Sequence, residues 1–433
     1  MYYFIGIKGA GMAALAVIMH KLGHEVCGSD IEKHLFTEEE LQQYQIPVFP
    51  FNPNNIKDSM TVIIGNAFDE SFPEVVATRN NPTIKAYRYH EFLGKLAENY
   101  QSFAIAGSHG KTTTTTMAAN MFSFSTPTGY LIGDGSGDLA QDSTNFVIEA
   151  CEYKRHFLAY YPDYAVITNI DLDHTDYFHS EEDYSLAYQE FIENVKKGLA
   201  LFGDDEKVRA LKIDKTHLYY GENTGNDVQA INIIEYPESM EFDVLYKGEL
   251  FGHFVLPFSG RFLLWNALSV ITLGIFVDLS AEVINEGLNH FHGAKRRFVI
   301  EKVGESVFID DYAHHPTEVS VTIDAARTRF PNHKIVAIFK PHRASRVYHF
   351  VDDFKKALMK ADQVCLCPFS SIDDFTDGIE IEISYLADLI PNSRIVDENE
   401  EDAAFLASLA PACYLFMSSK DIYPLAEKVK KLL

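Results

Sequence analysis

Residues 107–116 read Gly-Ser-His-Gly-Lys-Thr-Thr-Thr-Thr-Thr and follow directly on the apolar run Phe103-Ala104-Ile105-Ala106. A strand that runs into a glycine turn and then a helix forces an α/β layout. It is also the layout of a phosphate-binding loop. Its glycines let backbone N–H groups approach a polyphosphate, and the helix N-terminus adds a positive dipole end. Lys111 would reach the terminal phosphates, and the hydroxyl of Thr112 would ligate Mg²⁺. The position five before Gly110 is Ile105, so this is the shorter Gly-x-x-Gly-Lys-Thr form.

At 433 residues the chain is long enough for two to four domains. A content of 47% hydrophobic and 23% charged residues predicts a globular protein with no membrane insertion. The formal charge of −25 argues against a nucleic-acid binder, because no excess of Lys and Arg exists to neutralise phosphates. Small anions need only a local cluster of donors. Lys295-Arg296-Arg297 and His342-Arg343-Ala344-Ser345-Arg346 are two such clusters, or else solvated charge runs. Five cysteines without a metal-ligand framework suggest a reducing compartment and buried free thiols. Cys365 and Cys367, two apart in an apolar run, are expected in a strand core. The apolar stretch Tyr2–Met19 contains Lys8 and three glycines, and reads as strand, turn and helix rather than signal peptide. A cytoplasmic location is the expectation.

Three segments follow from the pattern. The first opens with strand Tyr2-Tyr3-Phe4-Ile5, the turn Gly6-Ile7-Lys8-Gly9-Ala10-Gly11 and helix Met12–Leu22, then strand His24–Cys27 ending at Gly28-Ser29-Asp30. That is a βαβ unit with an acidic residue closing its second strand. The Gly-x-x-Gly-x-Gly spacing differs from the dinucleotide fingerprint, so a nucleotide diphosphate is the modest inference. Further strands are expected at Thr61–Ile64 and Thr83–Ala86, and a helix at His90–Glu98, giving a boundary near residue 98. The second segment alternates strands and helices, as a largely parallel sheet requires. Its strands are expected at Phe103–Ala106, Phe146–Glu149, Tyr164–Thr168 and Ala200–Phe202, with an antiparallel flap over 205–260. Beyond a boundary near His292-Gly293-Ala294, strands at Ser306–Ile309, Lys334–Phe339, Gln363–Cys367 and Ala412–Phe416 mark a third α/β unit.

The chemistry-bearing residues cluster at strand ends, where open α/β sheets bind ligands. Glu149 ends one strand, and Asp171, Asp173, His174 and Asp176 follow another. Glu149 and His174 are read as Mg²⁺ ligands near a bound triphosphate, while Asp171 and Asp176 are equally suited to capping the next helix. Asp310-Asp311-Tyr312-Ala313-His314-His315-Pro316 and Phe339–Arg346 each follow a strand of the third segment and offer cationic or titratable groups.

Taken in order, these stretches resemble the Mur ligases, ATP-dependent amide-forming enzymes of peptidoglycan precursor synthesis. The matching stretches are 6–12, 107–116, Glu149-Ala150-Cys151-Glu152, Thr168-Asn169-Ile170 with Asp173-His174, Lys295-Arg296-Arg297-Phe298, Asp310–Glu318 and Pro341-His342-Arg343. The resemblance implies three domains: a UDP-sugar-binding Rossmann-like domain at 1–97, a central P-loop ATPase domain with a mainly parallel sheet at 98–293, and a Rossmann-like C-terminal domain at 294–433 that brings in the amino acid. It implies that Gly107, Ser108, His109, Gly110, Lys111, Thr112, Thr113, Asn266, Arg297 and Asp311 hold ATP. Thr112, Glu149 and His174 would hold Mg²⁺. Gly9, Gly11, Met12, Asp30 and Asn66 would hold the uridine nucleotide. Tyr312, His314, Arg343 and Arg346 would line the amino-acid site, with Lys111, Arg297 and His314 acting in catalysis. Where several later members carry a carbamylated lysine, this chain has Gln189, which favours the alanine-adding branch. The implied reaction joins L-alanine to the lactyl carboxylate of UDP-N-acetylmuramate through an acyl phosphate, in a cytoplasmic monomer or homodimer. Two other readings are a ligase that couples a recycled murein peptide and a non-catalytic nucleotide binder. The family's Gly-x-His-Asn-x-x-Asn adenine segment is here Gly260-Arg261-Phe262-Leu263-Leu264-Trp265-Asn266, so its His and first Asn are missing.

Overall fold

The computed structural model describes residues 1–33, 35, 37–370, 372–375 and 378–433, with only the backbone of Ile372 and Asp373. Three sheets organise the chain. The first contains β1 (Tyr2–Ile5), β2 (Val26–Asp30), β3 (Val48–Pro50), β4 (Thr61–Ile64) and β5 (Lys85–Arg88), in the order β3-β2-β1-β4-β5. All its pairings are parallel. β1 therefore lies at the point where the strand order reverses, and the glycine turn 6–11 opens above it. The following helix, Ala10–Lys21, buries an unbroken apolar run from Met12 to Met19.

The second sheet has ten strands: β6 (Gln101–Ala106), β7 (Thr128–Leu131), β8 (Gly137–Asp138), β9 (Asn145–Glu149), β10 (Tyr164–Ile167), β11 (Gly198–Phe202), β12 (His217–Gly221), β13 (Val228–Glu235), β14 (Met240–Tyr246) and β15 (Glu249–Leu256). Their order is β15-β14-β13-β12-β11-β10-β6-β9-β7-β8. β6, which feeds the phosphate loop, sits between β9 and β10 with parallel pairing to both. The carboxyl ends of β6, β9 and β10 thus share one edge of the sheet. Within 205–260, β12 joins in parallel, and β13–β15 extend the same sheet as an antiparallel meander, the expected antiparallel addition to it.

The third sheet contains β16 (Val299–Val303), β17 (Ser306–Asp311), β18 (Lys334–Phe339), β19 (Gln363–Leu366), β20 (Arg394–Ile395) and β21 (Ala412–Met417), in the order β16-β17-β21-β18-β19-β20. Only β16 runs antiparallel within it.

Several strand ends differ from expectation. β2 starts at Val26 and runs through Gly28-Ser29-Asp30, which were expected as its exit. The shift is possible because Gly28 lies close under β1: an added Cβ would stand 2.4 Å from the Phe4 carbonyl oxygen. β5 is displaced to Lys85–Arg88, and β17 extends to Asp311, so Asp310 and Asp311 lie within the strand rather than after it. Four cysteines are buried, but Cys151 is exposed, against the expectation of wholly buried thiols. Cys365 and Cys367 do share one apolar cluster, with Tyr414 and Phe416.

The first two sheets are not independent. Phe4, Ile18 and Leu93 belong to the same apolar cluster as Phe146, Phe157 and Tyr184. β8 lies against the first helix, where a Cβ on Gly137 would meet Ala14 and Ile18 at 3.1 and 3.2 Å. Burial of this shared face fixes the first unit against the second.

Candidate active site

The phosphate loop is held from β10. His109 N–H donates to Asn169 Oδ1 (2.9 Å), and Thr168 Oγ1 and Asn169 Nδ2 donate to the His109 carbonyl (2.6 and 3.0 Å). Gly107 is required here: its φ is +133°, and a Cβ would stand 1.9 Å from Thr168 Oγ1. The helix Lys111–Ser125 then starts with its N-terminus under the loop. Lys111 Nζ donates to the carbonyls of Gly107 (2.5 Å) and Ser108 (2.9 Å) and pairs with Glu152 Oε2 at 2.9 Å. Burial pulls this ammonium down, but Glu152, Cys151 and Glu149 outweigh it and leave its pKa raised, so Lys111 stays charged.

Thr112 Oγ1 donates to Glu149 Oε2 at 3.0 Å, and the same oxygen accepts the Gly133 N–H at 2.8 Å. His174 lies with Nε2 3.6 Å from Glu152 Oε1, and its buried Nδ1 has no hydrogen-bond partner among the described residues. Burial, with Arg346 and Lys111 nearby, lowers the His174 pKa and favours the neutral imidazole. A hydroxyl, a carboxylate and a neutral imidazole with an orphaned nitrogen are a donor set that fits a divalent cation.

Three site residues were not assigned a role from sequence. Glu152 joins Lys111, Tyr184 and His174 at the centre of the site. Its only signal was a second acid three places after Glu149. Tyr184 also contacts Ser108 Oγ at 2.9 Å, from the helix Glu181–Asn194. Glu318 gathers His314 (3.0 Å), Arg297 (3.6 Å) and His109 (3.6 Å).

The capping reading of Asp171 and Asp176 does not hold, since Ser180 caps the helix that follows. Asp171 Oδ2 accepts from Thr317 Oγ1 at 2.6 Å and lies 3.0 Å from His109 Nε2. Asp176 pairs with Arg343 at 2.5 Å, and Asp173 with Arg346 at 2.8 Å. The 342–346 cluster is therefore not a solvated charge run. These contacts dock the third unit on the second, so the strand ends of both sheets face each other. Tyr312 and His314 sit in the same junction, with the Arg297 guanidinium 4.9 Å from the Tyr312 ring centroid. His314 Nδ1 faces two acceptors, the Tyr312 carbonyl (3.1 Å) and Glu318 Oε2 (3.0 Å). Nδ1–H is therefore the donor in this arrangement, and Nε2 points away from both acceptors. Asp311 accepts the N–H groups of Phe298 and Ala313, both at 2.8 Å, and burial pushes its carboxyl up to about 6 against the pull of Arg297.

The first unit contributes a separate edge. Asp30 Oδ2 accepts the Lys8 N–H at 2.7 Å and closes the loop 6–9 over β2. Gly9 caps the first helix, Gly11 lies against Tyr89, and Met12 is buried in the helix–sheet core. Asn66 bridges His90 Nδ1 (3.0 Å) and His156 Nδ1 (3.2 Å), at the junction of the first two units. Asn266 is buried under Gly110, beside Phe262, and its Nδ2 has no partner among the described residues. Thr113 is buried in the first turn of the loop helix. Gln189 exchanges two hydrogen bonds with the Lys212 backbone.

Three open α/β sheets joined around a phosphate loop define a nucleotide-dependent ligase architecture, and the comparisons agree. Residues 1–101 match the Mur ligase family catalytic domain, 105–274 the Mur ligase middle domain and 296–412 the Mur ligase glutamate ligase domain. The chain belongs to the Mur ligase family, and at that level it is an ATP-dependent ligase of peptidoglycan synthesis. Among solved structures it is similar to the UDP-N-acetylmuramate–alanine ligase of Thermotoga maritima, with 27% identity and a TM-score of 0.81, covering 99% of this chain and 98% of that one. It is also similar to the UDP-N-acetylmuramate:L-alanyl-γ-D-glutamyl-meso-diaminopimelate ligase of Neisseria meningitides, with 26% identity and a TM-score of 0.61 over 68% of this chain and 99% of that one. The MurF ligase of Thermotoga maritima, solved with ADP, shares the fold at 18% identity and a TM-score of 0.68, over 88% and 96%.

Proposed function

We propose that the chain ligates L-alanine to the lactyl carboxylate of UDP-N-acetylmuramate, with conversion of ATP to ADP and phosphate. The observation that carries this reading is the junction itself. Lys111, Thr112, Glu149 and His174 at the ends of the central sheet face Tyr312, His314, Arg343 and Arg346 at the ends of the third. Residues 1–97 would hold the uridine nucleotide through Gly9, Gly11, Met12, Asp30 and Asn66. Residues 98–293 would hold ATP through the loop 107–113 and Asn266, and residues 294–433 would supply Arg297, Asp311 and the amino-acid site. No helix among the described residues is long and apolar enough to cross a membrane. A cytoplasmic location and action as a monomer or homodimer belong to the same proposal.

The chemistry follows from the groups present. The muramyl carboxylate attacks the γ-phosphorus of ATP and forms an acyl phosphate, with ADP leaving. Charge develops on the transferring phosphoryl oxygens, and Lys111 and Arg297 are placed to neutralise it. Mg²⁺, when held by Thr112, Glu149 and His174, supplies further neutralisation of the phosphates. The alanine amine then attacks the acyl carbon, and phosphate leaves from the tetrahedral intermediate. His314 Nε2 is the base for the ammonium proton. The Arg343 and Arg346 guanidiniums stand at this junction, and a planar guanidinium suits the alanine carboxylate.

ADP release by the purified chain, with UDP-N-acetylmuramate and one amine at a time, tests this reading. Turnover with L-alanine supports it. Turnover with the L-alanyl-γ-D-glutamyl-meso-diaminopimelate tripeptide and none with alanine would assign the peptide-coupling reaction instead.

A further inference from the structure

We propose that His109, Asp171 and His315 form a binding site for one divalent transition-metal ion of the zinc class, distinct from the Thr112–Glu149–His174 set. The three residues come from separate places: the phosphate loop, the segment after β10, and the cap of the helix Pro316–Arg329 in the third unit. One ligand atom from each lies within 4.8 Å of the other two. Asp171 Oδ2 is 3.0 Å from His109 Nε2 and 3.7 Å from His315 Nδ1. A tetrahedral ion with bonds of about 2.1 Å places its ligand atoms about 3.4 Å apart, between those two separations. Small side-chain adjustments therefore suffice.

The surroundings are built like those of a metal site. His109 and His315 are 4% and 2% exposed, with ring centroids 4.6 Å apart. The two rings are tilted at 35°; His315 Nδ1 faces Asp171 and accepts the Thr317 N–H at 3.4 Å, while its buried Nε2 has no partner among the described residues. Glu318 Oε1 lies 3.6 Å from His109 Nδ1, the position from which a carboxylate orients a metal-bound imidazole by accepting its other N–H. Thr317 Oγ1 donates to Asp171 Oδ2 at 2.6 Å and holds that carboxylate in place. Asp171 is the most exposed of the three, so a water can complete the coordination. Two imidazoles and one carboxylate select zinc, cobalt or manganese over magnesium, which prefers oxygen. Since His315 belongs to the third unit and His109 to the phosphate loop, the ion would clasp the two together. Binding displaces the proton shared by His109 and Asp171.

The test uses the full chain, stripped of metal and titrated with Co²⁺ in excess Mg²⁺, followed by the visible absorption of the cobalt and by calorimetry. One equivalent with the intense absorption of four-coordinate cobalt is expected. His315→Ala and Asp171→Asn should each weaken binding at least about tenfold, and Glu318→Gln by about 10–100-fold. Thermal unfolding of each variant without metal shows whether it is folded. If His315→Ala is not, Asp171→Asn and Glu318→Gln decide the matter. Glu149→Gln should bind cobalt normally. No binding in excess Mg²⁺, or binding abolished by Glu149→Gln and kept in Asp171→Asn and Glu318→Gln, overturns the proposal.

Discussion

Arg346 and Asp173 form a two-point ion pair: Nε and Nη2 both donate to Asp173 Oδ1, at 3.0 and 2.8 Å. Their side chains are 5% and 8% exposed, and they come from different units, Arg346 from the helix Ala344–His349 and Asp173 from the segment after β10. Burial alone would raise the Asp173 pKa, but Arg346 holds the carboxyl well below its ordinary range. The pair is thus a charged rivet between the central and third units.

Asp173→Asn should loosen that rivet. Removing one partner of a buried pair leaves the other uncompensated, a change of about 3–5 kcal/mol. The docked arrangement should therefore lose at least about 100-fold in population relative to an undocked one. Small-angle scattering should show a larger radius of gyration for the variant. An unchanged radius would mean that other contacts hold the junction by themselves.

Lys111→Ala should reduce ATP turnover by about 10³-fold or more, given its place at the transferring phosphoryl group. The structure adds a second effect. Glu152 is fully buried, and its partner would be gone, so the variant should also unfold at lower temperature. Lys111→Met with Glu152→Gln should recover stability but not turnover. A single variant with near-normal rate would end the assignment of the phosphate loop.

For Arg343, the positive charge and the planar fork are separable. The residue holds φ +69° and pairs with Asp176, so its head is positioned at the junction. Arg343→Lys should raise the apparent KM for alanine by about tenfold or more and leave that for ATP nearly unchanged. An effect confined to ATP would place the amino-acid carboxylate elsewhere.

Nucleotide choice should be loose. Phe262 stands beside Gly110 and Asn266, where the family pattern has a hydrogen-bonding His, and Leu263 replaces an Asn. A base site built from apolar groups discriminates weakly. GTP should support turnover within about tenfold of ATP. A preference for ATP of several orders of magnitude would show that another segment reads the base.

Acid should weaken the junction of the first two units. His156 is pushed down to about 4 by burial, with His90 stacked on it at 4.2 Å and Lys154 and Arg88 nearby. Its ordinary value is about 6.5. Between those values the unfolded chain binds the proton more readily. The contribution is therefore complete above about pH 6.5, declines as pH falls towards 4, and is flat below. Urea midpoints measured across this window should fall less steeply in His156→Gln than in the parent. Parallel slopes would remove His156 from the acid response.

The strand–turn–helix units at Tyr2–Lys21 and Gln101–Ser125 were legible in sequence because each is local: an apolar run, glycines at the turn and a helix within about twenty residues. The Gly-x-x-Gly-Lys-Thr pattern at 107–112 was legible for the same reason, since it is a contiguous motif. Strand ends were read less well, because β2 and β17 continue wherever a neighbour offers hydrogen bonds, as Phe4 and Met417 do for Gly28 and Asp311. What no local pattern encodes is which charges meet across a domain junction. Asp176 reads in sequence equally as ligand or cap, and the fold sets Arg343 against it, as it sets Arg346 against Asp173. Glu152, Glu318 and His315 acquired roles only when side chains far apart in sequence were buried together. Desolvation makes such charges depend on their partners, and tertiary packing alone decides who those partners are.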